Sequence, residues 1–374
     1  MTSPQRPGGT MEITAAVLRA PDRPYELEDV ELASPGPDQV LVRIAGTGMC
    51  HTDVLPRTPG YFAPLPIITG HEGSGVVEAI GSDVDGIAVG DHVVLSFDSC
   101  GTCENCASGA SAYCDTFFLR NLFGREVDGS TAVRDGSGAE VSSRWFAQSS
   151  LASHCLATAR NTVVVDADLP LELLGPLGCG ILTGAGSILV ALDVQPETSL
   201  VVFGTGAVGL AAVMAGRVAG ASTIVAVDIH RHRLDLALEL GATHAVDGTD
   251  PDVVAQVQAI AGGGAHFSFD TTGNPAVMAN AIAALRMAGV CGLVGIQTGD
   301  LVLDGVALVG KTVKGILEGG AEPGHLIPRL LDLWREGRFP FDRLIETFPL
   351  DQINEAEQAS LSGRVIKPVL VPAG

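Results

Sequence analysis

Apolar residues follow two different patterns along the chain. Up to about residue 100, short apolar segments alternate with Pro, Gly and Asp breakers, as in ITAAVLRA, QVLVRIAGTG, GSGVVEAIG and DHVVLSF. From about residue 181, strand-like segments such as SLVVF, STIVAVD and HFSFD alternate with amphipathic stretches of helix length. The first pattern predicts a small β-barrel, and the second predicts a parallel, doubly wound α/β sheet.

The end of the chain forms a third region. After about residue 320, HLIPRLLDLWREG is helix-like and RVIKPVLV is strand-like, which indicates that the chain returns to its first domain. A length of 374 residues exceeds the usual size of one hydrophobic core. We therefore predict two domains, with residues 1–180 and 321–374 in the first and residues 181–320 in the second.

Four cysteines lie close together in the first region. Cys100, Cys103, Cys106 and Cys114 are separated by two, two and seven residues. A short loop with these spacings can wrap four thiolates around one ion, and a tetrahedron of thiolates suits Zn²⁺ or iron. The spacing favours zinc, and disulfides or scattered core cysteines are the alternative.

Composition limits the class of protein. No apolar run reaches the roughly 20 residues of a membrane span, and the first residues lack the basic-then-apolar order of a secretory signal. We therefore expect a cytoplasmic protein without a membrane partner, in which the eight cysteines stay reduced. The formal charge of −21 and the pI near 4.6 argue against nucleic acid as a partner, because phosphate binding needs clustered Lys and Arg.

A glycine-rich turn follows the first strand of the second region. Ser199–Phe203 runs directly into a GxGxxG turn and then into an Ala-rich helical stretch. In this context the glycines let the backbone approach a pyrophosphate at the helix N-terminus. Asp228 ends the next strand, nineteen positions beyond Gly209, where its carboxylate can accept hydrogen bonds from ribose hydroxyls. An Asp there repels a 2′-phosphate, so the pattern favours NAD over NADP, although Arg231 and Arg233 partly offset the repulsion.

Three other residues have the composition of a second metal site. Cys50 closes a predicted strand, His71 opens another, and Cys179 lies on a segment of small residues before the second region. Each residue alone is more typical of a protein core than of a ligand set. Together they are the Cys/Cys/His combination that, with an open fourth position, holds a catalytic zinc.

The motifs occur in an order that resembles a known family. Cys50-His-Thr-Asp53, Gly70-His71-Glu72-Gly73, the four-cysteine lobe, Gly178-Cys179-Gly180 and the glycine turn together resemble the zinc-dependent medium-chain alcohol dehydrogenases over nearly the whole chain. The stretches LELLGPLGCGILTGAGSILVAL and CGTCENC resemble the aryl-alcohol (benzyl alcohol) dehydrogenase branch. The resemblance implies a GroES-like β-barrel catalytic domain over 1–180, with a structural zinc lobe at about 96–116. It further implies a Rossmann NAD-binding domain over 181–320 and a C-terminal segment, 321–374, in the catalytic domain.

The resemblance also implies an activity. The enzyme would hold two Zn²⁺ per chain and oxidise primary aromatic or allylic alcohols to aldehydes, reversibly, with hydride transfer to NAD. Its substrate partner would be a small alcohol or aldehyde, and the chain would form a homodimer or homotetramer by pairing edge strands, for which the segment VCGLVGIQTG is the candidate. A thiol-adduct-dependent formaldehyde dehydrogenase and a non-catalytic relative that binds zinc and nucleotide are the alternatives.

Roles for individual residues follow from the same resemblance. Cys50, His71 and Cys179 match the catalytic zinc ligands, with Glu72 able to approach or exchange at the metal. Asp53 matches the carboxylate that orients the ligand His, and Thr52 matches the hydroxyl that takes the substrate proton. Cys155 and Cys291 match no ligand position, and we assign both to the core. The cysteine lobe matches the structural zinc, and the cofactor-binding positions are Gly204, Gly206, Ala207, Val208, Gly209, Asp228, Arg233, Ile296 and Arg364.

One position departs from the family pattern. Many relatives carry a histidine five positions after the first ligand cysteine, and this chain has Leu55, which cannot carry a proton. His51 is the nearest substitute base, and the alternative is that His51 contacts the cofactor pyrophosphate, a role that Arg364 shares by the same correspondence.

Aromatic residues are concentrated around the cysteine lobe in a chain that is otherwise poor in them. They could stack against a flat substrate or fill the core and the lobe. The residues concerned are Phe97, Phe117, Phe118, Phe123, Trp145 and Phe146.

Overall fold

A computed structural model describes residues 9–373, which divide into two compact units. The first unit comprises residues 9–179, Glu322–Pro328 and 342–373. The second comprises Gly180–Ala321 and Arg329–Phe341. The predicted return of the chain to its first domain after residue 320 is thus interrupted, because thirteen residues of this stretch, 329–341, belong to the second unit.

Short strands make up most of the first unit. Within the described residues they form two sheets, which are antiparallel except where the C-terminal strand meets its neighbour. The elements before residue 180 are β1 (Thr10–Leu18), β2 (Glu26–Ala33), β3 (Gln39–Gly48), β4 (Ile67–Ile68), β5 (Glu72–Ile80), β6 (His92–Leu95), α1 (Glu104–Ala107), α2 (Phe117–Leu122), β7 (Val133–Arg134), β8 (Glu140–Val141), β9 (His154–Thr158) and β10 (Thr162–Val165).

The second unit is a parallel α/β sheet. Helix and strand alternate through α3 (Gly180–Gly186), β11 (Ser199–Phe203), α4 (Ala207–Ala219), β12 (Thr223–Asp228), α5 (Arg231–Leu240), β13 (His244–Asp247), α6 (Val253–Ile260), β14 (Ala265–Asp270), α7 (Pro275–Ala283) and β15 (Leu285–Leu293). The next strand, β16 (Thr312–Gly315), follows β15 without an intervening helix. The strand order is β13-β12-β11-β14-β15-β16, and every neighbouring pair is parallel. The chain therefore reverses direction across the sheet beside β11, which confirms the doubly wound fold predicted from the alternating pattern.

The remaining elements close the chain. They are α8 (Pro323–Arg335), β17 (Ile345–Pro349), α9 (Ile353–Leu361) and β18 (Lys367–Val371). The last strand pairs antiparallel with β3 through Val369 opposite Gly48 and Leu370 opposite Thr47. This pairing places β18 beside the end of β3 at Gly48, one residue before Met49 and two before Cys50.

Alternation of side chains explains why β3 is central to its sheet. Val40, Val42 and Ile44 point to one face and are buried with Val77 of β5 and Leu95 of β6. Burial of such side chains provides about 1.5–3 kcal/mol each, so the strand forms where its apolar face finds partners. No helix in the described part of the chain is long and apolar enough to cross a membrane.

The predicted edge strand is wrong. VCGLVGIQTG includes the end of β15, which pairs on both sides, with β14 and with β16. The edge of the sheet on this side, among residues 9–373, is β16. The sequence pattern did not identify β16 as the edge because β16 has only four residues, two of which are the polar Thr312 and Lys314, and it lacks the apolar run that marks β15.

Phe269 of β14 tests the packing of the second unit. Its side chain is fully buried, and its ring lies so near Gly292 of β15 that a Cβ there would come within 3.3 Å of it, so we expect Phe269→Ala to lower the free energy of unfolding by about 3–5 kcal/mol. Chemical denaturation measures this change. Met287→Ala, at a side chain that is 64% exposed, is the control and should change stability by less than about 0.5 kcal/mol. Equal effects of the two substitutions would contradict the assignment of Phe269 to the core.

Candidate metal centres and nucleotide cleft

The four cysteines of the lobe converge on one point. Their Sγ atoms all lie within 4.8 Å of one another. The Sγ atoms of Cys100 and Cys106 are 3.8 Å apart, and those of Cys103 and Cys106 are 3.4 Å apart. Zn–S bonds of about 2.3 Å in a tetrahedron place two sulfurs about 3.8 Å apart, so the donor set fits a zinc ion.

The loop backbone prepares these sulfurs to carry negative charge. The backbone N–H groups of Thr102 and Cys103 donate to Cys100 Sγ, and the N–H of Cys100 donates to Cys114 Sγ. Donation from Thr102 lowers the pKa of Cys100 to about 5, whereas burial raises the pKa of Cys106 to about 12. A metal ion binds the thiolate form of all four, and the N–H···S bonds stabilise that form.

Asp98 fastens the lobe to the rest of the first unit. Its carboxylate is almost completely buried, accepts from Arg120 at 3.1 Å and accepts from the Thr158 hydroxyl at 3.2 Å. Its backbone N–H donates to the Asn121 side chain. We did not single out this residue from the sequence, because its partners lie up to 60 positions away.

A second group of ligand-type atoms lies at the end of β3. One ligand atom from each of Cys50, His71, Glu72 and Cys179 lies within 4.8 Å of the others. Cys50 precedes a 3₁₀ turn at His51–Arg57, His71 and Glu72 enter β5, and Cys179 immediately precedes α3. Three separate segments of the first unit therefore meet at one point.

Asp53 fixes the orientation of His71. The imidazole Nδ1–H donates to Asp53 Oδ1 at 2.7 Å, and both side chains are fully buried. The other ring nitrogen, Nε2, is buried and has no hydrogen-bond partner among the described residues. A fixed imidazole with an unused Nε2 beside two thiols and a carboxyl group fits a zinc ion.

The electrostatics of this group attract positive charge. Burial alone would lower the pKa of His71, but the Asp53 carboxylate and Cys50 raise it well above its usual value. A hydrogen bond from Cys179 lowers the pKa of Cys50, despite burial, and the charge of His71 adds to the effect. A metal cation at this point suits both the negative charge around His71 and the thiolate form of Cys50, because it takes the place of the protons that the ligands lose.

Lys367 forms a buried ion pair beside the same group. Its ammonium donates to Glu72 Oε1 at 2.8 Å and to Glu72 Oε2 at 2.9 Å, and also to the backbone oxygen of Met49 at 3.2 Å. Burial alone would lower the pKa of Lys367, but the charges of Glu72 and Cys50 raise it. Nothing near Lys367 in the sequence marks it as part of a site, because its partner Glu72 lies 295 positions away.

The residues predicted for proton transfer lie on the 3₁₀ turn after Cys50. The His51 side chain is exposed, and those of Thr52 and Leu55 are half-buried. Asp53 on the same turn holds the turn in place, because its Oδ2 accepts from the backbone N–H of Cys50 at 3.0 Å.

Aromatic rings extend from His71 outwards. The Phe146 ring stacks on the His71 ring, with centroids 4.3 Å apart. Trp145 and Phe117 pack edge-on against Phe146, and Tyr61 lies beside Trp145. Of the predicted aromatic residues, Phe97, Phe117, Trp145 and Phe146 are buried, Phe123 is half-buried and Phe118 is exposed. Tyr61 and Phe62, which stack on each other, were not anticipated.

The predicted core cysteines are in the core. Cys155 on β9 and Cys291 on β15 are both buried, and neither belongs to a group of candidate metal ligands in the described part of the chain.

The glycine turn of the second unit borders a cavity of about 350 Å³. Gly204 has φ of +85° and Gly209 lies so close to it that a Cβ on Gly209 would clash with the Gly204 carbonyl oxygen. These two positions therefore require glycine. The cavity is lined by Phe203, Gly204, Gly206, Val227, Asp228, Ile229, His230, Arg233, Gly248, Val253, Thr271, Thr272, Asn274, Val277 and Asn280.

Asp228 is held in place at the edge of this cavity. Its Oδ2 accepts from the backbone N–H of Thr205 at 2.6 Å and from the Thr205 hydroxyl at 2.9 Å. Its Oδ1 accepts from the backbone N–H of His230 at 2.9 Å. The carboxylate thus links the glycine turn to the end of β12.

The other predicted cofactor residues occupy different places. Ala207 and Val208 begin α4, directly after the glycine turn. Ile296 is 53% exposed in the loop after β15 and does not line the cavity. Arg364 lies in the first unit, is exposed, and faces Glu346 at 3.5 Å.

Two families of known domains match this chain. Residues 36–165 match the alcohol dehydrogenase GroES-like domain, and residues 207–334 match the zinc-binding dehydrogenase domain. The first match includes the cysteine lobe, and the second begins at the glycine turn.

Relatives match over almost the full length. A geraniol dehydrogenase from Castellaniella defragrans is 48% identical over 363 residues, which cover 96% of this chain and 97% of the relative. The crystal structure of an alcohol dehydrogenase zinc-binding domain protein from Burkholderia ambifaria has a TM-score of 0.96 at 48% identity, covering 98% of this chain and all of that one. The crystal structure of benzyl alcohol dehydrogenase from Acinetobacter calcoaceticus has a TM-score of 0.93 at 43% identity, covering 97% of this chain and all of that one.

Metal analysis tests the lobe. We expect Cys106→Ser to bind about one zinc fewer per chain than the unmodified protein, because three thiolates and a hydroxyl no longer complete the tetrahedral set. Elemental analysis of the purified variant measures this. Cys155→Ser, which changes a buried cysteine outside both groups, is the matched control and should keep the full metal content. An unchanged metal content in Cys106→Ser would contradict a metal site in the lobe.

Proposed function

Because this chain belongs to the zinc-dependent medium-chain alcohol dehydrogenase family, we propose that it oxidises primary aromatic or allylic alcohols to aldehydes with NAD. The reaction is reversible in this proposal, and the chain belongs to the aryl-alcohol branch. Alcohol dehydrogenase activity follows from the family, whereas the substrate class, the choice of NAD and the branch are the proposal.

One observation carries the catalytic part. His71 Nε2 is buried without a hydrogen-bond partner among the described residues, and Asp53 holds Nδ1. A ring nitrogen of His71 lies within 4.8 Å of the Cys50 and Cys179 thiols. In this proposal Cys50, His71 and Cys179 hold the catalytic zinc, and the lobe holds a second, structural zinc. Bound zinc supplies Lewis acidity at the alcohol oxygen, and bound NAD supplies the hydride acceptor.

Asp53 acts through His71. Its carboxylate accepts the Nδ1 proton, so the imidazole presents Nε2 as the electron-pair donor, and this contact also restrains ring rotation. The same carboxylate accepts from the backbone N–H groups of Gly70 at 2.9 Å and Cys50 at 3.0 Å. One side chain thus holds the backbone of two ligand segments together.

The proton of the substrate hydroxyl goes to Thr52 in this proposal. Thr52 lies two residues after Cys50 on the 3₁₀ turn, and its hydroxyl can both accept and donate a proton. Leu55 on the same turn cannot continue the relay. The exposed imidazole of His51 is the group on this turn that can pass the proton on to solvent.

Residues of the second unit support NAD as the cofactor. The glycine turn and the N-terminus of α4 suit a pyrophosphate, and Asp228 borders the same cavity. Thr205 and His230 hold the Asp228 carboxylate in place beside the cavity through three hydrogen bonds. A fixed negative charge there disfavours the 2′-phosphate of NADP, although Arg233 also lines the cavity.

Two observations support a flat, apolar substrate. Phe146 stacks on the ligand His71 and packs against Trp145, and beside these two buried rings the half-buried Tyr61 stacks on Phe62, which is 53% exposed and accessible to a flat substrate. Relatives over almost the full length carry the names geraniol dehydrogenase and benzyl alcohol dehydrogenase. Geraniol is an allylic alcohol, and benzyl alcohol is an aromatic one. The cytoplasm is the proposed location, because all eight cysteines are free thiols in the structure.

Turnover measurements test this proposal. We expect NADH formation with benzyl alcohol and with geraniol, and kcat/KM at least about tenfold higher with NAD than with NADP, because Asp228 excludes the 2′-phosphate. Absorbance at 340 nm measures both. Ethanol, which offers no ring or double bond to the aromatic residues, is the control substrate.

Three results would contradict the proposal in different ways. Oxidation of formaldehyde only in the presence of a small thiol would favour a thiol-adduct-dependent formaldehyde dehydrogenase. Bound zinc and nucleotide without turnover of any alcohol would favour a non-catalytic relative. Equal rates with NAD and NADP would overturn the role given to Asp228.

We also propose that the chain forms a homo-oligomer through the second unit. All four residues of the edge strand β16 are exposed. The segment before it exposes apolar side chains, of which Val302 is 81% and Val306 73% exposed. An exposed strand edge beside apolar side chains is a surface that a second copy can cover by strand pairing.

Substitution of this surface tests the oligomer. We expect the unmodified chain to be at least dimeric and the double variant Val302→Asp/Val306→Asp to shift toward monomer, because pairing would bury two carboxylates without partners. Sedimentation velocity measures the change. Val89→Asp, at a side chain of the first unit that is 62% exposed, should leave the oligomer intact. A monomeric unmodified chain, or an unchanged oligomer in the double variant, would contradict the interface.

A further inference from the structure

The ion pair of Lys367 and Glu72 is enclosed by the first unit. The Glu72 side chain is fully buried and that of Lys367 is 4% exposed. The ammonium contacts both carboxylate oxygens, at 2.8 and 2.9 Å, so neither oxygen is left unengaged. This pair lies beside the candidate catalytic metal ligands, since a Glu72 oxygen is within 4.8 Å of the ligand atoms of Cys50, His71 and Cys179.

The strand β18 places the Lys367 ammonium beside Glu72. Lys367 is the first residue of β18, which pairs antiparallel with the end of β3. The backbone oxygen of Met49, the residue before the ligand Cys50, accepts a further hydrogen bond from the ammonium. On β3, Gly48 leaves room for the carboxylate, because a Cβ on Gly48 would clash with Glu72 Oε2. The backbone is thus shaped to hold the carboxylate in one position.

We propose that Lys367 is a positioning residue that holds the Glu72 carboxylate off the metal bound by Cys50, His71 and Cys179, and so keeps the fourth ligand place open for the alcohol. This inference rests on the proposed function, because it assumes a metal at those three residues. It assigns a role to a residue 295 positions away from its partner in the sequence.

Two cations compete for the Glu72 carboxylate. A buried carboxylate without a counter-charge is very unfavourable, so Glu72 must face a cation. Two cations are within its reach in the loaded enzyme, the Lys367 ammonium and the metal. With both oxygens bound to the ammonium, the carboxylate is a poor fourth ligand. Without the ammonium, the metal is the remaining cation, and a carboxylate oxygen is an acceptable zinc ligand.

Stability alone gives a weak reason for such a pair. A buried ion pair recovers little more than the desolvation cost of its two charges, and an apolar pair of the same volume is often as stable. Lys367 also contacts the backbone next to a ligand, which a purely structural pair would not require. A role at the metal site explains both the burial and the location.

Cobalt substitution tests this role independently of turnover. Co²⁺ in place of zinc has visible bands that report its coordination, and imidazole is a small ligand that can occupy an open place. The comparison uses the full-length chain and four variants, K367M, K367R, E72Q and the double variant K367M/E72Q. The cysteine lobe contributes equally in all of them, because its closed set of four thiolates leaves no place for imidazole.

The proposed role of Lys367 predicts different imidazole binding in the different variants. In K367M, Glu72 occupies the fourth place, so imidazole should bind about tenfold more weakly or not at all, because it must displace the carboxylate. In K367M/E72Q the carboxylate is gone, and the imidazole response should return to that of the unmodified chain. K367R keeps a cation with paired donors and should behave like the unmodified chain. Metal release to a chelator should be slower in K367M than in K367M/E72Q.

Two results would overturn the role of Lys367. One is a K367M spectrum and imidazole affinity equal to those of the unmodified chain. The other is an altered resting spectrum in E72Q alone, which would mean that Glu72 is already a ligand while Lys367 is present. The E72Q result decides the matter even if K367M does not fold. An unmodified chain without any imidazole-sensitive cobalt band would overturn the proposed function itself, because the three residues would then hold no metal with an open place.

Discussion

The hydrogen bonds of Asp53 are the contacts on which the candidate active site depends. A single buried carboxylate accepts from His71 Nδ1 and from the backbone of Gly70 and Cys50. These groups belong to the 3₁₀ turn after β3 and to the residues that lead into β5, two segments that the Tyr25 hydroxyl also bridges through Asp53 and Thr69. Because ligand geometry must be correct to a few tenths of an ångström, a shared acceptor is an economical way to align two segments. The Tyr25 hydroxyl supports the arrangement from outside, by donating to the Asp53 backbone oxygen at 3.2 Å.

The negative charges of the side chains in the two candidate metal centres are stabilised in different ways. In the lobe, backbone N–H groups donate to the sulfurs of Cys100 and Cys114, on a loop that is largely exposed to water. Around Cys50 and His71 the site is enclosed, and a full positive charge on Lys367 faces the carboxylate of Glu72. Water and amide dipoles suffice for a closed set of ligands. A site that keeps an open place needs a fixed charge that does not itself bind the metal.

The second unit shows the same use of a shared carboxylate. Asp228 accepts from the backbone and hydroxyl of Thr205 and from the backbone of His230, so it connects the glycine turn to the following strand. Thr205 occupies a position that the GxGxxG pattern leaves unspecified, so the pattern itself does not require the Thr205 hydroxyl. The position of the Asp side chain is therefore set before any nucleotide binds.

The sequence alone determined the doubly wound sheet, the glycine turn and both groups of candidate ligands. The sheet, the glycine turn and the cysteine lobe rest on local spacing and on strand and helix periods, so a short window of sequence contains each of them. Cys50, His71 and Cys179 span 129 positions, and the order of the motifs, through their resemblance to a known family, identified them as one ligand set. Only the tertiary structure decided that Lys367 faces Glu72, that Asp98 anchors the lobe, that Phe146 stacks on His71 and that β16 rather than β15 is the edge strand. Each of these is a contact between residues far apart in the chain, and their pairing depends on strand register and sheet order, which no local pattern encodes.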